Sequence, residues 1–266
     1  MHNKAALCRD AHVWAQSLEM MRQLKSDYMV PSHTRPVMGT SEINSVLSIY
    51  RDAVLFVHDQ TVRLMNRGYF LNDVIENVKL PPHLRDHPYL QEFYGTVEWS
   101  VRGIFTTYLG WFSGNPAELH SLNPKAEAAR MVQLAGGVEK LLSCAEDAVN
   151  NADYQWGLVC AQHVLRHTSE DADTVISGKH SVSSTTMAKE LAVRSLQGLA
   201  MREVSANGRN YYLTYALELS GDLPSLQPSA TLRDGVLKAM NGIDVIKMLP
   251  IRLDAKKAEN VDKKVL

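Results

Sequence analysis

Cysteine is scarce in this sequence, which also lacks an excess of charge and any long apolar run. The three cysteines, Cys8, Cys144 and Cys160, are far apart and form no CxxC pair. Their number and spacing argue against a disulfide framework and against a thiolate zinc site. We expect these thiols to be reduced and mostly buried, which suggests the cytoplasm, while the compartment itself stays unknown from the sequence.

The charge balance and the hydropathy pattern narrow the possible partners. The 28 Lys and Arg residues nearly balance the 29 Asp and Glu residues, so the chain has no basic field to attract nucleic acid or an anionic membrane. No apolar run approaches the roughly 20 residues of a membrane-spanning helix, and residues 1–9 lack the apolar core of a secretory signal. We therefore predict no nucleic-acid partner, no membrane span and no signal peptide.

The common local signatures of catalysis are also missing. The sequence contains no GxSxG, no phosphate-binding glycine loop and no HExxH motif. His163 and His167 are four residues apart on a predicted helix, but no third residue has the spacing of a zinc ligand. The pair His58 and Asp59 is interpreted as a hydrogen-bonded structural pair. We assign no catalytic residue from these patterns.

Hydrophobic periodicity predicts a mainly helical protein. Apolar residues recur at intervals of three and four over several stretches, namely residues 10–25, 41–67, 123–135, 137–150, 153–167 and 187–201. The run Tyr28–Pro31 predicts a short buried strand, and residues 32–39 a fixed loop. Residues 210–219 are apolar nearly all round, so a buried helix and a strand both remain possible there.

Aromatic residues crowd the segment 93–119, which ends in a Gly-Asn-Pro turn. Large rings at helical spacing usually bury apolar area, so we expect these rings, Trp111 among them, to form core. A polar face remains beside them, with Tyr94 one turn before the pair formed by Glu98 and Arg102. A phenol and a guanidinium on one face suit an oxyanion ligand, and the same face suits a surface ion pair.

An ordered series of motifs resembles the linear alkyl sulfatases of the metallo-β-lactamase type and spans residues 9 to about 253. The matching segments, in chain order, are RDA..W (9–14), VPSHTRPVMG (30–39), YRDAVLFVHDQTVRLMNRG (50–68), LPPHL (80–84), EFYGTVEWSVRGIFTTYLGWFSGNPAELH (92–120), ADYQWGLVCAQHVL (152–165) and NGRNYYLTYALEL (207–219).

This resemblance implies a fold class and a division into domains. The fold is expected to be mainly α, with a multi-helical dimerisation domain preceded by a short α/β remnant of a metallo-β-lactamase-like domain. Residues 1–40 resemble the end of the catalytic domain, 41–220 the dimerisation domain, and 221–266 the start of a sterol-carrier-protein-like domain.

The resemblance also implies an activity and its participants. Members of the family hydrolyse linear alkyl sulfates such as dodecyl sulfate with two zinc ions and a zinc-activated hydroxide. His33 falls where the family has its last zinc-ligand histidine, and Tyr94 and Arg102 lie in the segment expected to reach the sulfate. The HxHxDH zinc motif of the family is absent from this sequence.

We therefore expect this chain to supply mainly the dimerisation domain and to form a homodimer. By itself it should be inactive and should not retain the two zinc ions of the intact family. The alternative is a non-catalytic helical homodimerisation module. A lipid-binding function of residues 221–266 is a third interpretation, although that stretch resembles only the opening of a carrier domain.

Overall fold

The protein is described from a computed structural model that covers residues 10–169, 182–223, 235 and 238–259. The chain divides into two units, Met1–Asp222 and Leu223–Leu266. Within the described residues the structure is helical apart from one two-stranded sheet, so the predicted mainly α class is confirmed. None of the described helices combines the length and the apolar character that crossing a bilayer requires.

The first part of the chain is a helix followed by a small hairpin. Helix α1 (Ala11–Gln23) begins where the Asp10 carboxylate accepts hydrogen bonds from the backbone N–H groups of His12 and Val13. Strands β1 (Tyr28–Met29) and β2 (Val37–Met38) pair antiparallel. The predicted strand is therefore present, but Tyr28 is 71% exposed rather than buried, and the end of the predicted loop is a second strand.

The longest of the described helices joins this hairpin to the rest of the chain. Helix α2 (Thr40–Met65) buries Ile43, Val46 and Leu47 against Leu18 of α1 and Val37 of β2. Short elements follow: α3 (Leu71–Asn77), α4 (Pro82–Arg85) and a 3₁₀ turn (Pro88–Leu90).

The aromatic segment contains a helix, α5 (Val97–Leu109), which begins at the Thr96 cap and ends at Gly110, whose φ is +80°. Of its rings only Phe105 is fully buried, against α2 and α3. The other rings are half-buried or exposed, and Trp111 is 75% exposed, so the prediction of an aromatic core was wrong. The Gly-Asn-Pro turn begins a separate 3₁₀ turn (Pro116–Glu118) rather than ending the helix.

Five helices then pack around the largest core of the described residues: α6 (Pro124–Ala135), α7 (Val138–Asn150), α8 (Tyr154–Thr168), α9 (Val182–Arg202) and α10 (Ala206–Ser220). Residues 210–219 are thus helical. Gly198 allows α9 to lie close to α8, since a Cβ atom at this position would lie 2.4 Å from the Tyr154 ring. Leu142, Leu196 and Val164 are among the buried side chains of this core.

The second unit contains two described helices, α11 (Gly242–Arg252) and α12 (Ala255–Ala258). Cys8 and residues 170–181 lie outside the described residues. The division of the chain at residues 40 and 220 stays a prediction.

Candidate functional site

Two of the residues selected from the sequence lie side by side. The rings of His33 and Tyr94 are nearly parallel, with an interplanar angle of 12° and centroids 6.4 Å apart. Both side chains are exposed, His33 in the loop between β1 and β2 and Tyr94 just before α5. The hairpin and the helical region therefore meet at these two rings.

The backbone that carries Tyr94 is fixed by the turn between α9 and α10. The Ser205 hydroxyl donates a hydrogen bond of 2.6 Å to the Tyr94 carbonyl oxygen, and the Ala206 N–H donates one of 2.9 Å to the carbonyl oxygen of Phe93. Ser205 is fully buried and also caps α10, since its Oγ accepts from the Gly208 N–H. Sequence reasoning missed Ser205, which no local pattern connects to Tyr94.

The third selected residue, Arg102, is engaged in an ion pair on α5. Its Nε and Nη2 atoms lie 3.1 and 2.9 Å from Oε1 of Glu98, and both side chains are about half exposed. Among the described residues, Arg102 makes no hydrogen bond or ion pair with His33 or Tyr94. The predicted pairing with Glu98 is confirmed, and a role in binding an oxyanion stays a prediction.

The Glu98 side of α5 faces the α9–α10 region. Burial raises the pKa of Tyr212, and the carboxylates of Glu203 and Glu98 raise it further. Glu98, Trp99, Glu203 and Val204 also line one pocket of about 550 Å³.

A second pocket, of about 380 Å³, has mainly apolar walls and includes Tyr94. Its lining residues come from α1, α2, α5 and the chain between residues 80 and 97, among them Trp14, Val54, Leu90 and Ile104. The size lies within the range of small-molecule pockets. The sequence did not predict this pocket, because its walls come from segments that are distant along the chain.

His33 does not form a metal site by itself. Within the part of the chain that the structure describes, His33 belongs to no group of three His, Cys, Asp or Glu side chains close enough to share an ion. A structural or catalytic zinc takes three or four protein ligands. Further ligands from outside these residues would be required for zinc to bind at His33.

The pair His163 and His167 forms no three-ligand cluster either, within the same residues. His163 is buried on α8, and its Nδ1 atom has no hydrogen-bond partner among the residues that the structure describes. His167, one turn later on α8, is half-buried.

The chain matches the family model described as "Alkyl sulfatase dimerisation" over residues 71–222. It is similar to a linear primary-alkylsulfatase of a Pseudomonas species, with 39% identity over 92% of this chain and 44% of the relative. The alkyl/aryl-sulfatase BDS1 of Saccharomyces cerevisiae is 30% identical over 97% of this chain and 39% of that protein. The chain thus spans about two fifths of the length of these relatives.

Solved structures of a related enzyme have the same fold. A double mutant of the sec-alkyl sulfatase PisA1 superimposes with a TM-score of 0.79, at 27% identity, over 94% of this chain and 38% of that one. The stereoselective inverting sec-alkylsulfatase Pisa1 from a Pseudomonas species gives a TM-score of 0.72 at 26% identity, over 84% and 33% of the two chains. The resemblance inferred from the sequence motifs is confirmed.

Proposed function

This chain belongs to the alkyl sulfatase dimerisation family, and we propose that it is the self-associating part of a zinc-dependent hydrolase of linear alkyl sulfates such as dodecyl sulfate. In this proposal His33 supplies one zinc ligand, and Tyr94 and Arg102 contact the sulfate group. The observation that carries the proposal is the stack of His33 on Tyr94, which brings a potential metal ligand next to a potential substrate donor.

His33 suits its proposed role because its imidazole is exposed at a loop that two paired strands hold in place. A neutral imidazole nitrogen is a common zinc ligand. Zinc bound with the help of further ligands would lower the pKa of a bound water and so supply the attacking hydroxide. Since this sequence has no HxHxDH motif, we expect those ligands to come from another segment.

Tyr94 and Arg102 suit a sulfate ester because both donate hydrogen bonds to oxygen. The Tyr94 phenol lies beside the proposed zinc ligand, and the Arg102 guanidinium presents a planar array of donors. Both Arg102 contacts to Glu98 go to a single carboxylate oxygen. A sulfate would compete with Glu98 for these donors, and Glu98 would hold the guanidinium in position until substrate binds.

The mainly apolar pocket suits the alkyl chain of such a substrate. It lies against Tyr94, so a sulfate at Tyr94 could extend its hydrocarbon tail between Trp14 and Ile104. Each methylene removed from water would contribute about 0.8 kcal/mol to binding. Arg102 is not among the residues that line this pocket, so its contact with the sulfate depends on movement of its long side chain.

Self-association is supported by apolar side chains left at the surface of the helical region. Tyr211, Tyr215 and Leu217 of α10 are exposed, as are Met201 and Val204 just before it. Exposed apolar groups of this kind mark protein interfaces when they are contiguous. A homodimer is therefore expected in solution.

The alternative function is a homodimerisation module without catalysis. It is favoured by the absence, within the described residues, of partners that would complete a zinc site at His33. Both functions predict a dimer for this chain alone, and neither predicts sulfate release from it.

The test compares this chain alone with the chain joined to a segment that carries the HxHxDH motif. Light scattering should give a dimer mass for both, and only the joined protein with zinc should release sulfate from dodecyl sulfate. His33→Ala should lower its rate by more than about 100-fold, beyond the loss typical of outer-shell residues. His120→Ala, at another exposed histidine, is the matched control. Equal activity of the two variants would exclude the role of His33 and favour the module.

A further inference from the structure

A cluster of metal-ligand side chains that does not include His33 lies where α1 and α2 meet. His12 is in the first turn of α1, while His58 and Asp59 are neighbours in the C-terminal half of α2. One ligand atom from each of the three lies within 4.8 Å of the other two. The two imidazole rings are in edge-to-face contact, with centroids 4.2 Å apart.

His58 is fixed at the centre of this cluster. The residue is 5% exposed, with Nδ1 at 2.8 Å from Oδ1 of Asp59 and Nε2 at 2.8 Å from the Tyr108 hydroxyl on α5. Metal-bound histidines generally donate their second ring N–H to an oxygen, which fixes the ring orientation. Tyr108 provides such an oxygen.

The Tyr108 hydroxyl can serve both protonation patterns of a neutral His58, because a phenol both donates and accepts. Without an ion, Nδ1–H donates to Asp59 while Tyr108 donates to Nε2. With an ion, the proton moves to Nε2 and is donated to Tyr108, which leaves the Nδ1 lone pair and the Asp59 carboxylate free for the ion. The network is therefore satisfied in both states.

The charge around the cluster favours a cation. Asp10 caps α1 next to His12, and its carboxylate accepts hydrogen bonds from the backbone N–H groups of His12 and Val13. Two carboxylates, those of Asp10 and Asp59, thus face two imidazoles. When both rings are neutral, the cluster carries net negative charge.

We propose that His12, His58 and Asp59 bind one divalent transition-metal ion such as zinc, with Tyr108 as the positioning residue for His58. Ligands at the usual ~2.0–2.1 Å from tetrahedral zinc lie about 3.3 Å from one another. The present separations, from 2.8 Å for His58 and Asp59 to at most 4.8 Å, bracket that value. His12 and Asp59 are exposed and can adjust to the buried His58.

The ligand set also indicates which ions are excluded. Two imidazole nitrogens and one carboxylate suit zinc and other first-row transition metals, whereas Mg²⁺ and Ca²⁺ prefer shells of oxygen. The exposure of His12 and Asp59 leaves room for water at a fourth position.

Equilibrium dialysis of the untagged full chain against ZnCl₂, followed by elemental analysis, tests the proposal. The wild-type chain should bind one zinc ion at this site, and His12→Ala and Asp59→Asn should each weaken it at least about tenfold. His120→Ala and His33→Ala should leave this ion in place. Co²⁺ bound to the wild-type chain should show the visible absorption of a tetrahedral site, and this absorption should be absent in His12→Ala. Mg²⁺ should not bind.

The Tyr108→Phe variant tests whether the Tyr108 hydroxyl positions His58 for the metal or is needed only for folding. It should weaken zinc about tenfold and leave the helical circular dichroism spectrum unchanged. The proposal is overturned if the wild-type chain binds no more zinc than the His12→Ala/Asp59→Asn double variant. It is equally overturned if His33→Ala removes the ion that both single variants retain.

Discussion

The Ser205 hydroxyl donates a hydrogen bond of 2.6 Å to the backbone carbonyl oxygen of Tyr94, across a sequence separation of 111 residues. Ser205 is fully buried, and its hydroxyl also accepts from the Gly208 N–H at the start of α10. The bond thus ties the loop that carries Tyr94 to the cap of α10.

Ser205→Ala should lower the free energy of unfolding by about 1–3 kcal/mol, because it removes both the hydrogen bond to the Tyr94 carbonyl oxygen and the side-chain cap of α10. Ser195→Ala is the matched control, since Ser195 is equally buried but its Oγ has no partner within the described residues. Urea unfolding should show the control to be neutral or stabilising. Equal losses for the two variants would contradict the role given to the Ser205–Tyr94 bond.

Two rings of the aromatic segment should respond differently to truncation. Phe105→Ala should cost about 3–5 kcal/mol because the ring is 2% exposed in the core between α2, α3 and α5. Trp111→Ala should change stability by no more than about 0.5 kcal/mol in the monomer, because the indole is 75% exposed. Thermal unfolding of both variants at the same protein concentration gives the comparison. A large loss for Trp111→Ala that grows with protein concentration would instead place the indole in the dimer interface.

The contact between α1 and α2 should weaken in acid. Hydrogen bonds from Arg22 and Arg51 lower the pKa of Glu19 to about 2, against about 4.3 in an unfolded chain. A lowered carboxyl pKa stabilises the fold fully above the unfolded value, and that contribution is lost as the pH falls towards 2. Urea unfolding of Glu19→Gln and wild type should differ at pH 7 and converge as the pH falls below about 4. Glu76→Gln, at an exposed position of α3, is the control and should show no such convergence.

Cys144 and Cys160 should differ in reactivity. Cys144 is exposed on α7, whereas burial raises the pKa of the Cys160 thiol to about 11. In a Cys8→Ser background, a thiol reagent at pH 8 should modify Cys144 quickly and Cys160 only when the chain unfolds. Mass spectrometry of peptides during a urea titration checks this order, and rapid labelling of Cys160 in the native chain would contradict it.

Periodic apolar stripes made the helices predictable. Helix α1 follows its cap, Asp10, at the start of the predicted stretch 10–25, and α2 follows its stripe from Ile43 to Leu64 because one face of a long helix lies against the core. The strand β2 was missed because its pairing with Tyr28 and Met29 depends on a partner strand, not on the local residues. The cysteines were expected to be mostly buried. Cys160 is buried and Cys144 is exposed, and composition does not say on which face of α7 a residue lies.

In the candidate site, too, only contacts between residues close in the sequence could be predicted. Spacing predicted the pair Glu98 and Arg102, since residues four apart on a helix are neighbours. The resemblance of the chain to a known family selected His33 and Tyr94, but no pattern in the sequence indicated that the two rings would lie near each other. The contacts of His58 with His12 and Tyr108 are equally long-range, so the sequence suggested only its neighbour Asp59.

The small core shared by α1, β2 and α2 has a consequence for how such proteins can be rearranged. Leu18 and Val37 lie before Gly39, whereas their partners Ile43, Val46 and Leu47 lie after it. A recombination event or a laboratory truncation at Gly39 would leave apolar side chains on both sides of the cut without their packing partners. Exchange of segments between relatives should therefore succeed only when the hairpin and the start of α2 are inherited together.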